Sequence, residues 1–152
     1  MALPIAIASD HAAVDLKAAL IAWLAGEGHA TLDLGTDGTA SVDYPDYGFA
    51  IARAIEEGRA ARGVALCGSG IGISIAVNRS PACRCALVSE PLSAALAREH
   101  NDANVIAMGA RLTGPDMAIA CLKAFLATDF AGGRHQRRID KMTQLSAQET
   151  AA

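Results

Sequence analysis

Along this chain short apolar runs alternate with apolar residues at helical spacing. Leu3 to Ala8 is an apolar run closed by Ser9-Asp10-His11, which reads as a short buried strand. From Ala13 the period changes. Leu16, Leu20 and Leu24 recur at the four-residue spacing of a helix that Gly26 and Gly28 end. Thr31 to Leu34 gives a second strand ending at Gly35, and a polar loop rich in Gly, Thr and Asp reaches about Pro45. A helix from near Tyr47 to Glu57 leads into a strand at 63–67, and a further helix over 70–78 stops before Pro81. Arg84 to Val88 reads as a fourth strand, Pro91 to His100 as a helix with Pro in its first turn, and Asn104 to Met108 as a fifth strand. Gly114-Pro115-Asp116 opens a helix reaching Thr128, and a charged helix follows Gly132-Gly133 over about 134–148.

Strands alternating with helices over the whole chain predict a parallel sheet with helices on both faces, because right-handed β-α-β crossovers place them there. The expected fold is α/β: a three-layer α/β/α sandwich on a five-stranded parallel sheet, Rossmann-like, in a single domain over 1–152. Ligands in such sheets bind beyond the carboxyl ends of the strands, where the strand order reverses. Asp10 and His11, the run Cys67 to Gly72, and Arg111 all fall at such ends.

Composition narrows the class. The chain has 152 residues, 52% of them apolar and few aromatic, enough for one packed domain and too apolar for a disordered one. Its net charge of −3 argues against general nucleic-acid binding, while leaving room for a local basic patch that grips one phosphate. No apolar run is long enough to span a bilayer, and no basic residue precedes Lys17 as a signal peptide would require; the expectation is a cytoplasmic protein with no membrane partner. Cys67, Cys83, Cys85 and Cys121 form no C-x-x-C pair and no regular spacing with histidine, so no metal site is expected. Cys83 and Cys85, two apart and read as lying on a strand, are expected to share one face and pack in the core.

The richest chemistry lies in Cys67-Gly68-Ser69-Gly70-Ile71-Gly72. Glycines let backbone N–H groups approach a ligand without a Cβ in the way, and a thiol beside such donors is expected to ionise more readily than a free one. A plain strand-to-helix turn with a small buried cysteine would use the same residues. A dinucleotide fingerprint begun at Gly68 needs glycine where Ile73 stands, and a nucleotide P-loop needs a lysine that is absent. What remains is a cradle for a small anion or a developing oxyanion. His100-Asn101-Asp102-Ala103-Asn104 ends the helix before the fifth strand and offers a histidine able to exchange a proton near neutral pH. Arg134 and Arg138 lie on one face at i and i+4, a spacing that grips one phosphate or forms a solvated basic face.

Together with Ser9-Asp10-His11-Ala12, Asp43-Tyr44-Pro45-Asp46, Ser89-Glu90-Pro91 and Gly132-Gly133-Arg134-His135, these motifs resemble ribose-5-phosphate isomerase B over nearly the full chain, about residues 3 to 145. That family is related to the galactose-6-phosphate isomerase subunits. The resemblance implies interconversion of ribose 5-phosphate and ribulose 5-phosphate in the pentose phosphate pathway, with no cofactor. It also implies a homodimer, in some members doubled to a tetramer, with the active site between subunits and the last helix packed on the partner. On this basis Cys67 is the base that removes the C2 proton, and the N–H groups of Gly68, Ser69, Gly70, Ile71 and Gly72 hold the enediolate. Ser69 relays a proton between the oxygens and His100 opens the furanose ring. Asp10, His11 and Asn101 orient the sugar, Tyr44 lines the pocket, and Arg111, Arg134 and Arg138 hold the phosphate, some of them donated across the interface. Ser69 stands where many members have Thr. Another branch has glycine at the position of Cys67 and glutamate at that of Ile73; isoleucine cannot act as a base, so Cys67 is the loop's one candidate.

Three other readings stay open on the sequence. A six-carbon aldose phosphate such as allose 6-phosphate or galactose 6-phosphate needs only a slightly longer pocket. A cysteine hydrolase or acyltransferase would use Cys67 as nucleophile and His100 as base, although the arginine pair then lacks a purpose. A sensor of sugar phosphates would bind without proton exchange.

Overall fold

The computed structural model describes the backbone of residues 1–151 and the side chains as far as Leu145. Five strands, β1 (Ile5–Ser9), β2 (Thr31–Asp33), β3 (Arg62–Cys67), β4 (Cys85–Leu87) and β5 (Val105–Gly109), form one sheet in the order β2-β1-β3-β5-β4. Every pairing is parallel. The helices are α1 (Val14–Gly26), α2 (Tyr44–Glu56), α3 (Ile71–Val77), α4 (Pro91–Asn101), α5 (Pro115–Ala127) and α6 (Arg134–Ala151). The three-layer architecture expected from the alternating pattern is therefore the one observed.

Topology decides which helix covers which face. The β1-to-β2 and β4-to-β5 crossovers step toward the β2 edge, and the other two step toward the β4 edge. Right-handed crossovers then put α1 and α4 on one face and α2 and α3 on the other. The core divides the same way. Ile5, Ile7, Val64, Leu66, Ile106 and Met108 pack with Leu20, Leu122 and Phe125, while Ala8, Ala65, Cys67 and Ala107 pack with Ile51, Ile73 and Val77. Successive strand residues thus alternate between the two cores, as the two-residue period requires. On the second face Gly48 of α2 lets α2 and α3 sit close together. A Cβ on Gly48 would stand 2.9 Å from Ala76 Cβ and 3.1 Å from the Ile73 carbonyl oxygen.

Two local expectations are corrected. The second helix opens at Tyr44 rather than near Tyr47, with Pro45 in its first turn, where the N–H that proline lacks would have had no intrahelical partner. Cys83 precedes β4 instead of lying in it, because the Cys83 N–H closes a turn onto the Ser80 carbonyl; both cysteines still pack on the α2/α3 side. α6 is seated on α4 of its own chain through the buried His135 and Ile139, one helical turn apart. Among the described residues no helix is long and apolar enough to cross a membrane.

Candidate active site

The strand order reverses between β1 and β3, whose ends carry Asp10-His11 and the Cys67 loop. Cys67 is 3% exposed, and the Gly70 N–H donates to its Sγ at 3.1 Å. The chain makes this turn because Gly70 takes φ +78°, in the left-handed region that glycine enters without a Cβ penalty. Space enforces the same choice: a Cβ there would lie 2.7 Å from the Met108 carbonyl carbon and 3.0 Å from the Gly109 nitrogen. Ser69 Oγ accepts the Ile71 N–H at 3.2 Å, which leaves the hydroxyl proton free to point elsewhere. At the start of α3 the N–H groups of Gly72 and Ile73 have no intrahelical carbonyl to meet. This short stretch therefore combines a sulfur, a hydroxyl and backbone donors.

The neighbours complete a wall around it. Tyr44 packs its ring over Gly72, where a Cβ would meet Tyr44 Cζ at 2.5 Å. The Arg111 side chain lies across Gly68, with Nη1 3.4 Å and Cδ 3.5 Å from the position a Cβ would take. Asp10 is buried. Its Oδ1 accepts the Ala12 N–H at 3.0 Å, capping the single 3₁₀ turn His11–Ala13. His11 Nδ1 accepts the Val42 N–H at 3.1 Å, so its neutral ring carries the proton on Nε2. Backbone ties from β1 to β3 (Asp10 N–H to the Leu66 carbonyl, 3.1 Å) and from β5 to β3 (Arg111 N–H to the Gly68 carbonyl, 3.0 Å) fix these segments together.

The remaining sequence candidates sit at the other end of the sheet. α4 runs back from the carboxyl end of β4, and His100 and Asn101 close it beside the start of β5; Arg84 Nε donates to the Asn101 carbonyl at 2.9 Å. Since Gly63 pairs with Val105 and Cys67 with Gly109, on the order of 15 Å of sheet separates His100 from Cys67 within one chain. Arg134 and Arg138, exposed on α6, belong to the His100 end. His100 and His135 stack there with ring centroids 4.5 Å apart and planes 14° from parallel. Burial, the neighbouring His100 and the Arg134 and Arg138 cations hold the His135 imidazole below its ordinary pKa. Within a single chain the sequence candidates thus fall into two groups: Asp10, His11, Tyr44, Cys67 to Gly72 and Arg111 at one end of the sheet, and His100, Asn101, Arg134 and Arg138 at the other.

The Ribose/Galactose Isomerase family model matches residues 5–142. The chain belongs to this family. Ribose-5-phosphate isomerase B of Escherichia coli is 40% identical over 141 residues, covering 93% of this chain and 95% of its own. D-erythrulose-4-phosphate isomerase of Pectobacterium atrosepticum is 38% identical over 148 residues, covering 97% of each. The structure of Clostridium thermocellum ribose-5-phosphate isomerase B superposes with a TM-score of 0.95 at 40% identity, covering 97% of this chain and 99% of that one. Membership in an isomerase family decides against the hydrolase and sensor readings.

Within this isomerase the His100-Asn101-Asp102-Ala103-Asn104 cluster divides into two kinds of residue. Asp102, left-handed at φ 45°, ends α4 and accepts from Arg98 Nη1 at 2.8 Å. Asn104 Oδ1 accepts the Arg84 N–H at 2.8 Å, and its Nδ2 donates to the Ala82 carbonyl at 2.8 Å. Both build the turn, whereas the His100 ring faces His135 instead. The other thiols are held as thiols: burial pushes Cys83 up to about 11 and raises Cys121, and it drives Cys85 higher still. Two further residues carry no role in the sequence reading: His135 at the His100 end and Lys17 at the Cys67 end, beside the end of β2. His135 was visible inside its motif, one residue after Arg134. Lys17 was not, because its partners Asp33 and Asp37 lie 16 and 20 residues away.

Proposed function

We propose that the protein interconverts D-ribose 5-phosphate and D-ribulose 5-phosphate at sites formed between two copies of the chain. The observation that carries the reading is Cys67 at the end of β3, its sulfur accepting a backbone N–H on a loop bordered by Asp10, Tyr44 and Arg111. An aldose becomes a ketose when the C2 proton leaves, an enediolate forms, and a proton returns at C1. In this reading the Cys67 sulfur takes the C2 proton and delivers it to C1. Loop N–H donors stabilise the oxyanion, each such contact being worth about 3–4 kcal/mol where measured in hydrolases. Ser69, its oxygen already engaged by Ile71, passes a proton between O1 and O2. His100 protonates the ring oxygen of the furanose beforehand, and Arg111, Arg134 and Arg138 hold the phosphate.

The two groups meet only if a second copy brings them together. β4 is an edge strand, and unpaired edges are usually covered or blunted. Around it the surface is apolar: Ile71 and Ile75 on α3, Leu87 on β4, and Leu92 and Leu96 on α4 are all exposed. His100 continues the Leu92–Leu96 row at the same four-residue interval. A two-fold axis perpendicular to the strands beside β4 buries these residues against their own copies. It also brings the carboxyl end of one sheet beside the amino end of the other, which sets Cys67 of one chain near His100, Arg134 and Arg138 of its partner. Membership in the isomerase family and the apolar border of β4 support this arrangement.

Purified protein given ribose 5-phosphate in deuterated water is expected to form ribulose 5-phosphate carrying solvent deuterium, and Cys67→Ala to abolish exchange. Full activity in that variant would remove Cys67 as the base. Mixing inactive Cys67→Ala and His100→Ala chains, with subunit exchange, should restore about a quarter of the wild-type activity, since half the dimers are mixed and each has one intact site. Failure to complement in mixed dimers would place each site within one chain.

A further inference from the structure

Lys17 is the most completely buried lysine, 2% exposed, and the chemistry above does not use it. Its Nζ donates to Asp33 Oδ1 at 2.6 Å and to Asp37 Oδ1 at 2.9 Å. Burial by itself would lower its pKa; the two carboxylates override that and hold it above the ordinary value, so the ammonium persists at neutral pH. Asp33 ends β2 and also accepts the Gly35 N–H at 3.0 Å, while Asp37 is 84% exposed at the side chain. The clamp therefore grips the start of the loop at 34–43.

That loop leads to the site from both ends. At its start the Gly35 carbonyl accepts the Ser9 N–H and the Thr36 N–H donates to the Ser9 carbonyl, both at 2.7 Å, directly before Asp10. At its far end Val42 donates its N–H to His11 Nδ1 at 3.1 Å, two residues before Tyr44. Between these ties the segment has no helix or strand and residues 37–41 are exposed, so the anchors at its two ends set its path. The Gly35 and Thr36 backbone bonds hold its first residues, Lys17 holds it through Asp37, and His11 holds the far end.

We propose that Lys17 is a positioning residue for His11: by fastening the loop to α1 it keeps the Val42 N–H on Nδ1 and so fixes the imidazole as the Nε2–H tautomer. A ring nitrogen that accepts a hydrogen bond carries no proton, so His11 is left with one donor, Nε2–H, of defined direction. The importance of that donor for turnover rests on the proposed sugar-binding role of His11; the tautomer itself does not.

The test uses full-length Lys17→Met with ring-¹⁵N-labelled histidine, assigned by His11→Gln, together with kinetics on ribose 5-phosphate. Wild type is expected to show His11 with an unprotonated Nδ1 and a protonated Nε2. In Lys17→Met the two nitrogens should move toward averaged shifts, and kcat/KM should fall about tenfold or more as the donor loses its direction. Lys17→Arg should recover both readouts. Asp37→Ala, which removes only the exposed arm of the clamp, gives the same comparison should Lys17→Met fail to fold. A folded variant lacking the clamp whose His11 remains wholly Nε2–H overturns the proposal, whereas an averaged tautomer with kcat/KM within twofold of wild type upholds it and removes His11 from the sugar-binding role. Absence of ribose 5-phosphate turnover in the wild type would instead count against the proposed reaction, and the ring shifts would still decide whether Lys17 fixes the tautomer.

Discussion

Alanine at Gly70 and alanine at Gly72 are expected to fail in opposite ways. At Gly70 the backbone sits at φ +78°, and the new Cβ meets the Met108 carbonyl carbon at 2.7 Å and the Gly109 nitrogen at 3.0 Å. The left-handed conformation costs an alanine about 1–2 kcal/mol. Overpacking against a central strand, whose backbone cannot step aside, adds about 1–3 kcal/mol. The sum of about 2–5 kcal/mol is a large share of the stability of a domain this size, typically about 5–15 kcal/mol. At Gly72 the backbone is helical, where alanine gains about 1 kcal/mol over glycine. The three atoms nearest the new Cβ all belong to the Tyr44 ring, Cζ at 2.5 Å, and that half-exposed side chain can swing out. Urea denaturation should therefore show a marked loss for Gly70→Ala and a change within about 1 kcal/mol for Gly72→Ala. Steady-state kinetics should show Gly72→Ala impaired mainly in KM, because Tyr44 no longer closes the pocket. A Gly70→Ala protein as stable as wild type would mean the loop accommodates a Cβ and is not locked against β5. A fully active Gly72→Ala protein would remove Tyr44 from the pocket wall.

Cys83 titrates near 11 when folded against an ordinary 9.0. Unfolding therefore releases its proton more readily, and stability should hold below about pH 9 and fall by up to about 2–3 kcal/mol as pH rises toward 11; Cys83→Ala should lessen the alkaline part of a urea-stability profile, and an unchanged slope would refute the assignment. For His100→Ala, ring opening should become limiting, so turnover of an open-chain analogue should be reduced much less than turnover of the cyclic sugar; equal losses on both would count against that role.

How much of this the residues disclosed depends on the range of the interaction. The Cys67 loop was legible because everything it needs is local: an apolar strand, a sulfur, and glycines where the backbone must turn left-handed or meet β5. Asp10 and His11 were legible for the same reason, standing at the end of a run that could only be a buried strand. The opening of α2 at Tyr44 was missed because Asp43-Tyr44-Pro45 reads as loop chemistry until Pro45 is recognised as a first-turn residue. His100 was legible as a chemical group but not as a place. Nothing in its spacing reveals that α4 carries it to the end of the sheet opposite Cys67, since that follows from strand order and helix direction together. Lys17 left no signal at all. Its setting Asp15-Leu16-Lys17-Ala18 looks like the solvent side of an amphipathic helix, and only the loop folding back from β2 turns it inward. Asp102 and Asn104 sat in a motif from which only His100 and Asn101 were given roles, and backbone geometry claims both.

The division of the site has a consequence for specificity. In the proposed dimer the reacting end of the sugar is held by the Cys67 loop of one chain, and the phosphate is held in large part by Arg134 and Arg138 of the other. Substrate length is then measured by the spacing of the two subunits more than by any single pocket side chain. That would let close relatives differ in substrate without differing in loop chemistry, and relatives of similar identity to this chain do carry the names of a five-carbon and a four-carbon phosphate isomerase. One added carbon in an ordinary pocket is discriminated by only about 1–3 kcal/mol. A spacing set by packed side chains can be altered without touching substrate, and Leu96 is such a residue, partly exposed on α4 one turn before His100. Leu96→Ala should therefore leave the Cys67 loop intact yet shift the ratio of kcat/KM values for four-, five- and six-carbon phosphates by several-fold. The same shift should be absent from Leu3→Ala, which alters an exposed leucine just before β1, three strands away from β4 in the sheet. An unchanged ratio in Leu96→Ala, with the dimer preserved, would return the choice of substrate to residues that touch the sugar.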